Sequence, residues 1–397
     1  MEKKLGIYMH IPFCARKCLY CDFLSMPAPR PLQAAYVRAL RNEMESQASF
    51  YRGYRAETVF LGGGTPSLLS AAEIRALFSC LHDCYRIAGD AEITMEMNPG
   101  TVTGEMLAAC QSAGVNRISL GLQSAQDEEL RRLGRIHTWE MFLQSYRLCR
   151  AYGFDNINID LMSALPGQTL ASWRDTLEKT TALTPEHISA YSLILEEGTP
   201  FYETYGGEST PAGSYERENT ERAGDALPDE DTERDMDDLT KRFLAERGYA
   251  RYEISNNARK GKKCRHNCIY WTRGEYVGFG LGAASLVAEK RWSNKREMQA
   301  YLHRWENPDG GQGREESGQR LSRKEQMEET MYLGLRMTQG VSLVDFRRTF
   351  GCEMEEIYGE VLKRYTAMGL LRCADGRVSL TDRGIEVSNY VLADFLL

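Results

Sequence analysis

The chain is built around the stretch Tyr8-Met-His-Ile-Pro-Phe-Cys14-Ala-Arg-Lys-Cys18-Leu-Tyr-Cys21-Asp-Phe23. Its cysteines are separated by three and by two residues, which allows one loop to fold around a cuboidal iron-sulfur cluster with each thiolate on a different iron. Such a loop leaves the fourth iron without a protein ligand. A zinc loop is the alternative, but zinc sites normally use two paired ligand sets. The spacing therefore favours a 4Fe-4S cluster bound by Cys14, Cys18 and Cys21.

Strand and helix patterns alternate on either side of this loop. Buried strands are predicted at the N-terminus and at 58–61, 92–96, 117–123, 156–162 and 187–194, with helical periodicity between them. Six strand-helix units predict an α/β fold with a parallel, barrel-like sheet, in which functional residues lie at the carboxyl ends of the strands. The glycine run at 62–64 and the polar residues Glu96, Gln123 and Asp160 all fall there. Any one of them, taken singly, is also typical of a helix cap or a loop anchor.

Composition divides the remainder of the chain. Residues 206–238 are rich in glycine and in charged residues, and residues 307–320 resemble a linker. Ser322 with Glu325 predicts a capping box at the start of a helix. Asp375-Gly376 between apolar runs predicts a hairpin. The predicted divisions are a core at 1–205 with its cluster loop at 14–21, an acidic surface insertion at 206–238, a core extension at 239–306, a linker at 307–320 and a C-terminal winged-helix-like α+β domain at 321–397.

Charge and cysteine usage limit the partners and the compartment. The net charge is -7 over 397 residues, and no dense basic face is visible, so nucleic acid is not an expected partner. No run of about 18 apolar residues predicts a membrane span. The N-terminus lacks the pattern of a signal peptide, and the eleven cysteines are odd in number and scattered. These features predict a reducing, cytoplasmic location.

The cysteine spacing, with an aromatic residue at Tyr20, resembles the signature of the radical S-adenosylmethionine (SAM) superfamily. The preceding Tyr8-x-His10-Ile-Pro-Phe resembles the branch that contains oxygen-independent coproporphyrinogen III oxidase and the HemW heme chaperones, and the resemblance runs nearly end to end. It implies a partial (β/α)6 radical SAM barrel with a 4Fe-4S cluster and SAM as cofactors. In this family, one electron from the cluster cleaves the carbon-sulfur bond of SAM, the cofactor supplying the reactivity.

The resemblance also implies the SAM site, residue by residue. Gly62-Gly63-Gly64-Thr65-Pro66 is similar to the segment that holds the amino group of SAM, although a glycine run alone is also typical of a plain tight turn. Amide, cation and carboxylate groups suit the charged ends and the ribose of SAM. The further positions that match the family's SAM site are Tyr8, Tyr20, Glu96, Gln123, Arg135 and Asp160.

A second candidate segment is Cys264-Arg-His266-Asn-Cys268-Ile-Tyr270-Trp271. A histidine beside two aromatic residues can bind heme iron through its imidazole, and it can equally be a structural histidine covered by an aromatic pair. His-Asn-x-x-Tyr-Trp is similar to the motif proposed for heme attachment in the HemW branch, which implies His266 as the heme ligand. Cys264 and Cys268 with one histidine lack a fourth ligand for a second metal site.

Two function classes remain open, a heme chaperone and a coproporphyrinogen III oxidase that decarboxylates propionates. The oxidases carry a further cysteine where this chain has Phe23, and they have a longer segment before the cluster loop. His266-Asn-x-x-Tyr-Trp271 belongs with the chaperone branch. All three features favour the chaperone. One departure is Ala284, which stands where relatives usually have a histidine.

The chaperone hypothesis implies a set of partners. These are heme, acceptor apoproteins such as respiratory heme enzymes, and a reductant protein of the flavodoxin or ferredoxin type. Heme delivery would bring the protein near a membrane surface, but no amphipathic anchor is evident. The sequence leaves open whether the chain forms a homodimer. It also leaves open whether SAM is cleaved in the working cycle, in which case the protein would act as an enzyme.

Overall fold

Six parallel strands form the centre of the molecule, and they pair in chain order. The computed structural model describes residues 2–206, 226–306 and 318–397. The two strands at 117–123 and 157–163 are almost wholly buried, as expected of a parallel sheet covered by helices. This arrangement confirms the predicted α/β partial barrel. The strands are β1 (Lys3–Ile11), β2 (Tyr54–Gly63), β3 (Ile87–Met97), β4 (Arg117–Gln123), β5 (Ile157–Ser163) and β6 (His187–Ser192).

Helices connect these strands and cover the outside of the sheet. A capping box of Ser70 and Glu73 fixes the start of the second helix. Short 3-10 turns lie at Ala48–Tyr51 and Pro66–Leu68. The helices are α1 (Arg30–Gln47), α2 (Ala71–Cys84), α3 (Gly104–Ser112), α4 (Asp127–Arg132), α5 (Trp139–Ala151), α6 (Leu170–Ala182) and α7 (Pro200–Tyr205).

The segment after the barrel core extends both edges of the sheet to twelve strands. On one side β8 and β7 follow β6, and on the other side β9 pairs in parallel with β1 and leads to antiparallel β10, β11 and β12. The elements are α8 (Glu230–Glu246), β7 (Ala250–Arg251), β8 (Asn256–Ala258), α9 (Arg265–Trp271), β9 (Tyr276–Phe279), β10 (Ala284–Val287), β11 (Lys290–Ser293), α10 (Met298–Glu306) and β12 (Gln319–Arg320).

Helix α8 corrects one boundary expected from composition. The acidic insertion was expected to end at residue 238, but α8 begins at Glu230 and runs through that point. Asp229 caps its first turn, and Met236 is fully buried at the start of an apolar stripe. The indole of Trp173 donates to the hydroxyl of Thr240 at 2.9 Å, which ties α8 to α6. A charged sequence therefore forms a packed helix here because its few apolar residues share one face. The rest of the insertion, from 207 to 225, lies outside the described residues, as does most of the expected linker.

The C-terminal unit has its own apolar core and a three-stranded antiparallel sheet. Asp375 and Gly376 have φ of 55° and 70° and form the predicted hairpin turn. Helices followed by this hairpin give the predicted winged-helix-like α+β arrangement. The elements are α11 (Arg323–Gly334), β13 (Val341–Ser342), α12 (Leu343–Phe350), α13 (Met354–Ala367), β14 (Leu371–Ala374), β15 (Arg377–Leu380), α14 (Asp382–Glu386) and α15 (Ser388–Ala393).

No helix among the described residues combines the length and the apolar character that crossing a bilayer requires.

Candidate functional site

The cysteine loop connects β1 to α1 and is closed at its base by backbone hydrogen bonds. The amide of Cys14 donates to the carbonyl of Met26 at 3.1 Å, and the amide of Met26 donates to the carbonyl of Pro12 at 2.8 Å. Cys14, Cys18 and Cys21 are half-exposed free thiols. All three line a cavity of about 440 Å³ at the carboxyl ends of the barrel strands. The three predicted cluster ligands therefore share one opening.

The donor set of this loop fits an iron-sulfur cluster. In the part of the chain that the structure describes, no three histidine, cysteine or acidic side chains are arranged to hold a single metal ion. A cuboidal cluster needs a wider arrangement, because each thiolate binds its own iron. Arg135 donates to Cys18 Sγ at 3.8 Å and Thr65 donates to Cys14 Sγ at 3.6 Å. Both contacts stabilise a sulfur in the thiolate form, which is the form that binds iron.

The glycine run packs directly against the cysteine loop. A Cβ on Gly64 would lie 2.6 Å from the carbonyl oxygen of Phe13, and Gly63 has φ of 114° with no room for a Cβ beside the ring of His10. The amide of Gly63 donates to Glu96 Oε2 at 3.0 Å. Glycine is required here because two backbone segments approach closely. Gly63 and Gly64 both line the cavity.

Of the carboxylates that line the cavity, Asp22 and Glu196 are exposed, whereas Glu96 on β3 and Asp160 on β5 lie half-buried on its wall. Burial, and next the charge of Asp160, raises the pKa of Glu96 to about 8. Asp160 accepts from the hydroxyl of Ser119 at 3.1 Å and from the amide of Asn158 at 2.7 Å. A cation between two carboxylates lowers the pKa of both. The pair therefore favours a positively charged ligand group, such as an ammonium or a sulfonium.

Gln123, Arg135 and Tyr20 also line the cavity. Gln123 has φ of 71°, a left-handed conformation that directs the chain out of β4, and its Oε1 accepts from the hydroxyl of Tyr191 at 3.2 Å. Arg135 donates to the carbonyl of Gly121 at 2.7 Å. The ring of Tyr20 is half-buried, and its partial removal from water raises the pKa of its hydroxyl. These groups supply an amide, a cation and a phenol beside the two carboxylates.

Three of the predicted cofactor residues, Tyr8, Thr65 and His266, do not line this cavity. The hydroxyl of Tyr8 is 2.9 Å from Nδ1 of His10, so it supports the strand below the cysteine loop. Thr65 is buried and contacts Cys14. Both therefore act on the loop and not on the cavity itself.

Helix α9, which carries the His-Asn-x-x-Tyr-Trp motif, lies against the inner face of β1 to β3. Residues two apart on a strand point to the same face of the sheet. Glu92 therefore shares a face with Glu96 on β3. Thr58 and Phe60 on the neighbouring strand β2 point to that same face. The amide of His266 donates to Glu92 at 3.0 Å, and its ring stacks on Phe60 at 5.2 Å between centroids. Of this motif, only Asn267 reaches the cavity.

The described conformation does not support His266 as an iron ligand. Its Nδ1 is 2.7 Å from the hydroxyl of Thr58, and its Nε2 is 2.8 Å from the hydroxyl of Tyr270. The side chain is 1% exposed, and burial, with a smaller effect of Arg117, lowers its pKa to about 3. Neither ring nitrogen is available to a metal, because each has a hydrogen-bond partner. The alternative of a structural histidine under aromatic rings describes this geometry.

Several cavity residues were not anticipated from the sequence. Most of them face inward from strand positions that alternate with the core, a signal that a stricter use of strand periodicity would have found, whereas Asn98 directly follows β3 and Asn267 lies on α9. Asn98 follows Glu96 by two residues and lies beside Arg135. The unanticipated lining residues include Asn98, Ser119, Ser189, Tyr191, Asn256 and Asn267.

Two other positions noted in the sequence lie away from the cavity. Ala284 is exposed at the start of β10 and pairs with Ser293, so the missing histidine leaves no gap in the cavity wall. Cys264 is buried beside the carboxylate of Glu92, and Cys268 packs in a small cluster with Tyr252. The two thiols are core residues here.

Comparisons with known proteins define the class of the chain. Residues 8–180 match the family model of the radical SAM superfamily, and residues 321–387 match the HemN C-terminal domain. Coproporphyrinogen III oxidase (HemN) of Escherichia coli has a TM-score of 0.82 at 23% identity, covering 100% of this chain and 90% of that chain, which shows a shared fold. The protein is a radical SAM protein, and this superfamily implies a 4Fe-4S cluster and SAM as cofactors.

Sequence relatives narrow the class to one family. The heme chaperone HemW of Lactococcus lactis is 36% identical over 100% of this chain and 98% of that protein. The Bacillus subtilis protein of the same name is 33% identical over 98% of both chains. The Escherichia coli heme chaperone HemW is 38% identical over 71% of this chain and 70% of its own length. The chain belongs to the HemW family.

Proposed function

We propose that this protein is a radical SAM heme chaperone, which binds a 4Fe-4S cluster, SAM and heme and passes heme to acceptor proteins. The observation that carries the proposal is the similarity to the Lactococcus lactis heme chaperone over the whole chain. The residues of the cavity agree with it, since they offer a complete set of groups for a cluster and a charged ligand.

The cavity residues have separate roles in this proposal. Cys14, Cys18 and Cys21 would hold the cluster, which supplies one electron for the reductive cleavage of SAM when both are bound. Gly63 and Gly64 would allow the backbone to approach SAM. Tyr8 and Thr65 would act from beneath the loop. The remaining positions would orient the charged ends and the ribose of SAM, and they are Tyr20, Glu96, Gln123, Arg135 and Asp160.

We place heme at the mouth of the same cavity. Phe23 and Ile194 line this mouth and are 61% and 68% exposed, so two large apolar side chains at one opening are available to contact a ligand. Arg16 and Lys17 are exposed beside them and line the same opening. A flat apolar porphyrin would pack on the apolar side chains, and its two carboxylates would pair with these cations, while the exposed carboxylates of Asp22 and Glu196 line the same opening. His266 stays the ligand implied by the resemblance, and it would have to leave Thr58 and Tyr270 to bind iron.

The alternative function is an oxygen-independent coproporphyrinogen III oxidase. Its support is the shared fold with the Escherichia coli enzyme. Against it stands Phe23, an exposed apolar residue where the oxidases carry a further cysteine. The chaperone proposal therefore explains a residue at the cavity mouth that the oxidase alternative does not use.

The proposal also includes partners outside the chain. Acceptor apoproteins such as respiratory heme enzymes would receive heme, and a flavodoxin- or ferredoxin-type protein would reduce the cluster. We further propose that the protein is cytoplasmic and delivers heme near the membrane. A homodimer is the oligomeric state that we propose to test first. The net charge of -7 gives no general attraction to nucleic acid.

Two measurements test the proposal. With the cluster reconstituted and SAM binding verified, anaerobic incubation with coproporphyrinogen III and a reductant is expected to give no doubly decarboxylated product. Formation of that product would establish the oxidase.

In a heme titration followed by absorbance, Phe23→Ala is expected to weaken heme binding about tenfold, because a buried phenylalanine contributes about 1.5–3 kcal/mol. Phe50→Ala is the matched control, since Phe50 is 49% exposed at the opposite end of the barrel. Equal affinities of the two variants would exclude the mouth as the heme site.

A further inference from the structure

Asn98, which directly follows β3, connects the side chains that contact two of the cluster cysteines. Its Nδ2 donates to Thr65 Oγ1 at 2.7 Å, and its Oδ1 accepts from Arg135 Nη1 at 3.2 Å. Thr65 in turn donates to Cys14 Sγ, and the same Nη1 donates to Cys18 Sγ. One carboxamide thus lies between two donors to sulfur.

The direction of every hydrogen bond in this chain follows from chemistry. An arginine guanidinium can only donate, so the oxygen of the Asn98 carboxamide must face Arg135 and its nitrogen must face Thr65. The threonine hydroxyl then accepts from Asn98, and its single proton is left for another partner. The sulfur of Cys14, at 3.6 Å, is that partner. Asn98 therefore forces Thr65 to donate to the sulfur.

The backbone around Asn98 holds its carboxamide in this position. Its amide donates to the hydroxyl of Ser67 at 3.1 Å, and its carbonyl accepts from the hydroxyl of Thr101 at 2.7 Å. A Cβ on Gly121 would lie 2.7 Å from Arg135 Nη2 and 3.1 Å from Asn98 Oδ1. The absence of a side chain at Gly121 is what allows the arginine and the amide to meet.

We propose that Asn98 is a positioning residue that sets the reduction potential of the cluster held by Cys14, Cys18 and Cys21. Hydrogen bonds to cluster sulfurs stabilise the added electron and raise the potential. Asn98 fixes both donors, Thr65 and Arg135, without contacting a sulfur itself. The proposal rests on the cluster that the superfamily implies and is independent of heme binding.

The test is a redox titration of the reconstituted full-length protein, monitored by electron paramagnetic resonance. Asn98→Ala is expected to shift the midpoint potential to more negative values, by roughly tenfold in the reduction equilibrium, or about 59 mV for one electron. Thr65→Val removes the donor to Cys14 and is expected to shift the potential in the same direction. The double variant is expected to show less than the sum of the two shifts, because Asn98 acts partly through Thr65.

Thr101→Val is the matched control, because it removes a hydrogen bond of the same turn without touching a donor to sulfur. An Asn98→Ala protein with full iron content and an unchanged potential would overturn the proposal. A shift of equal size in Thr101→Val would also overturn it, since the turn and not the carboxamide would then be responsible. If Asn98→Ala fails to retain iron, Thr65→Val decides: an unchanged potential in that variant removes the proposed link to Cys14.

Discussion

At the residue scale, His266 shows how strongly surroundings decide the role of a side chain. Its ring is enclosed by Phe60 and Tyr8 and bonded on both nitrogens to Thr58 and Tyr270. Since its pKa is lowered to about 3, chiefly by burial, the ring is neutral at ordinary pH and carries one proton for two partners. In this structure, the motif that resembles a heme-attachment sequence joins α9 to the inner face of the barrel.

His266→Ala is expected to destabilise the protein by about 3 kcal/mol, because it opens a cavity and leaves two buried hydroxyls without a partner. Urea unfolding of the cluster-free protein measures this loss. His303→Ala, on the exposed side of α10, is the control and is expected to have wild-type stability. Heme affinity lost in a His266→Ala protein of unchanged stability would instead assign the histidine as the ligand.

At the element scale, α1 is joined to the extension of the sheet by one buried carboxyl group. Glu43 is fully buried and accepts from the amide of Gly280 at 2.9 Å, from Asn294 Nδ2 at 2.6 Å and from the hydroxyl of Tyr301 at 2.6 Å. Burial raises its pKa to about 7, and these hydrogen bonds limit the rise. The helix that follows the cysteine loop is thereby fixed to β9, β11 and α10.

This pKa predicts how stability depends on pH. Between pH 4.5, the ordinary value for glutamate, and pH 7, the folded protein keeps the proton of Glu43 while the unfolded chain has lost it. The contribution of Glu43 to the free energy of unfolding is therefore largest below pH 4.5. This contribution falls as pH rises toward 7, by on the order of 3 kcal/mol in total. Glu43→Gln is expected to remove this part of the slope in unfolding experiments across that range.

Glu45→Gln, on the exposed face of the same helix, is the control for this measurement and is expected to keep the wild-type slope. A Glu43→Gln protein with the wild-type slope would show that another group is responsible. The comparison isolates one carboxyl group, because the other titrating groups are common to all three proteins.

At the scale of the whole molecule, ion pairs join the C-terminal unit to the sheet extension. Glu329 on α11 accepts from Arg273 at 3.0 Å and also from Arg291 on β11. The side chains of Arg273 and Glu329 are only 8% and 6% exposed. Nearby, the guanidinium of Arg336 lies 4.4 Å from the ring centre of Trp271, at the end of α9. The C-terminal unit therefore contacts the helix that lines the barrel.

Glu329→Ala is expected to loosen this attachment by about 1.5–3 kcal/mol, because it removes the buried acceptor shared by Arg273 and Arg291 while Arg273 keeps its pair with Glu289. Hydrogen exchange of β13 to β15 and thermal unfolding are the measurements, with faster exchange and an earlier transition of the C-terminal unit expected. Glu360→Ala, an exposed change in the same unit, is the control. Equal exchange rates in the two variants would contradict the role of Glu329.

The sequence by itself determined the features that depend on neighbouring residues. Cysteine spacing identified the loop, periodicity gave the six strands and their helices, and local hydrogen-bond signals gave the capping box at Ser322 and the turn at Asp375 and Gly376. Each of these is decided within a few residues, since backbone sterics and side-chain-to-backbone hydrogen bonds act over that distance. The positions of Glu96 and Asp160 followed as well, because the carboxyl ends of parallel strands meet at one edge.

Only the tertiary structure decided which polar groups pair with one another. His266 meets Thr58 across 208 residues of sequence, and Arg135 meets Asn98 across 37. The sequence offered a histidine with two open roles and an asparagine with no assigned role. Their partners arrive through the packing of distant elements, and a buried polar group takes its function from the partner that satisfies it.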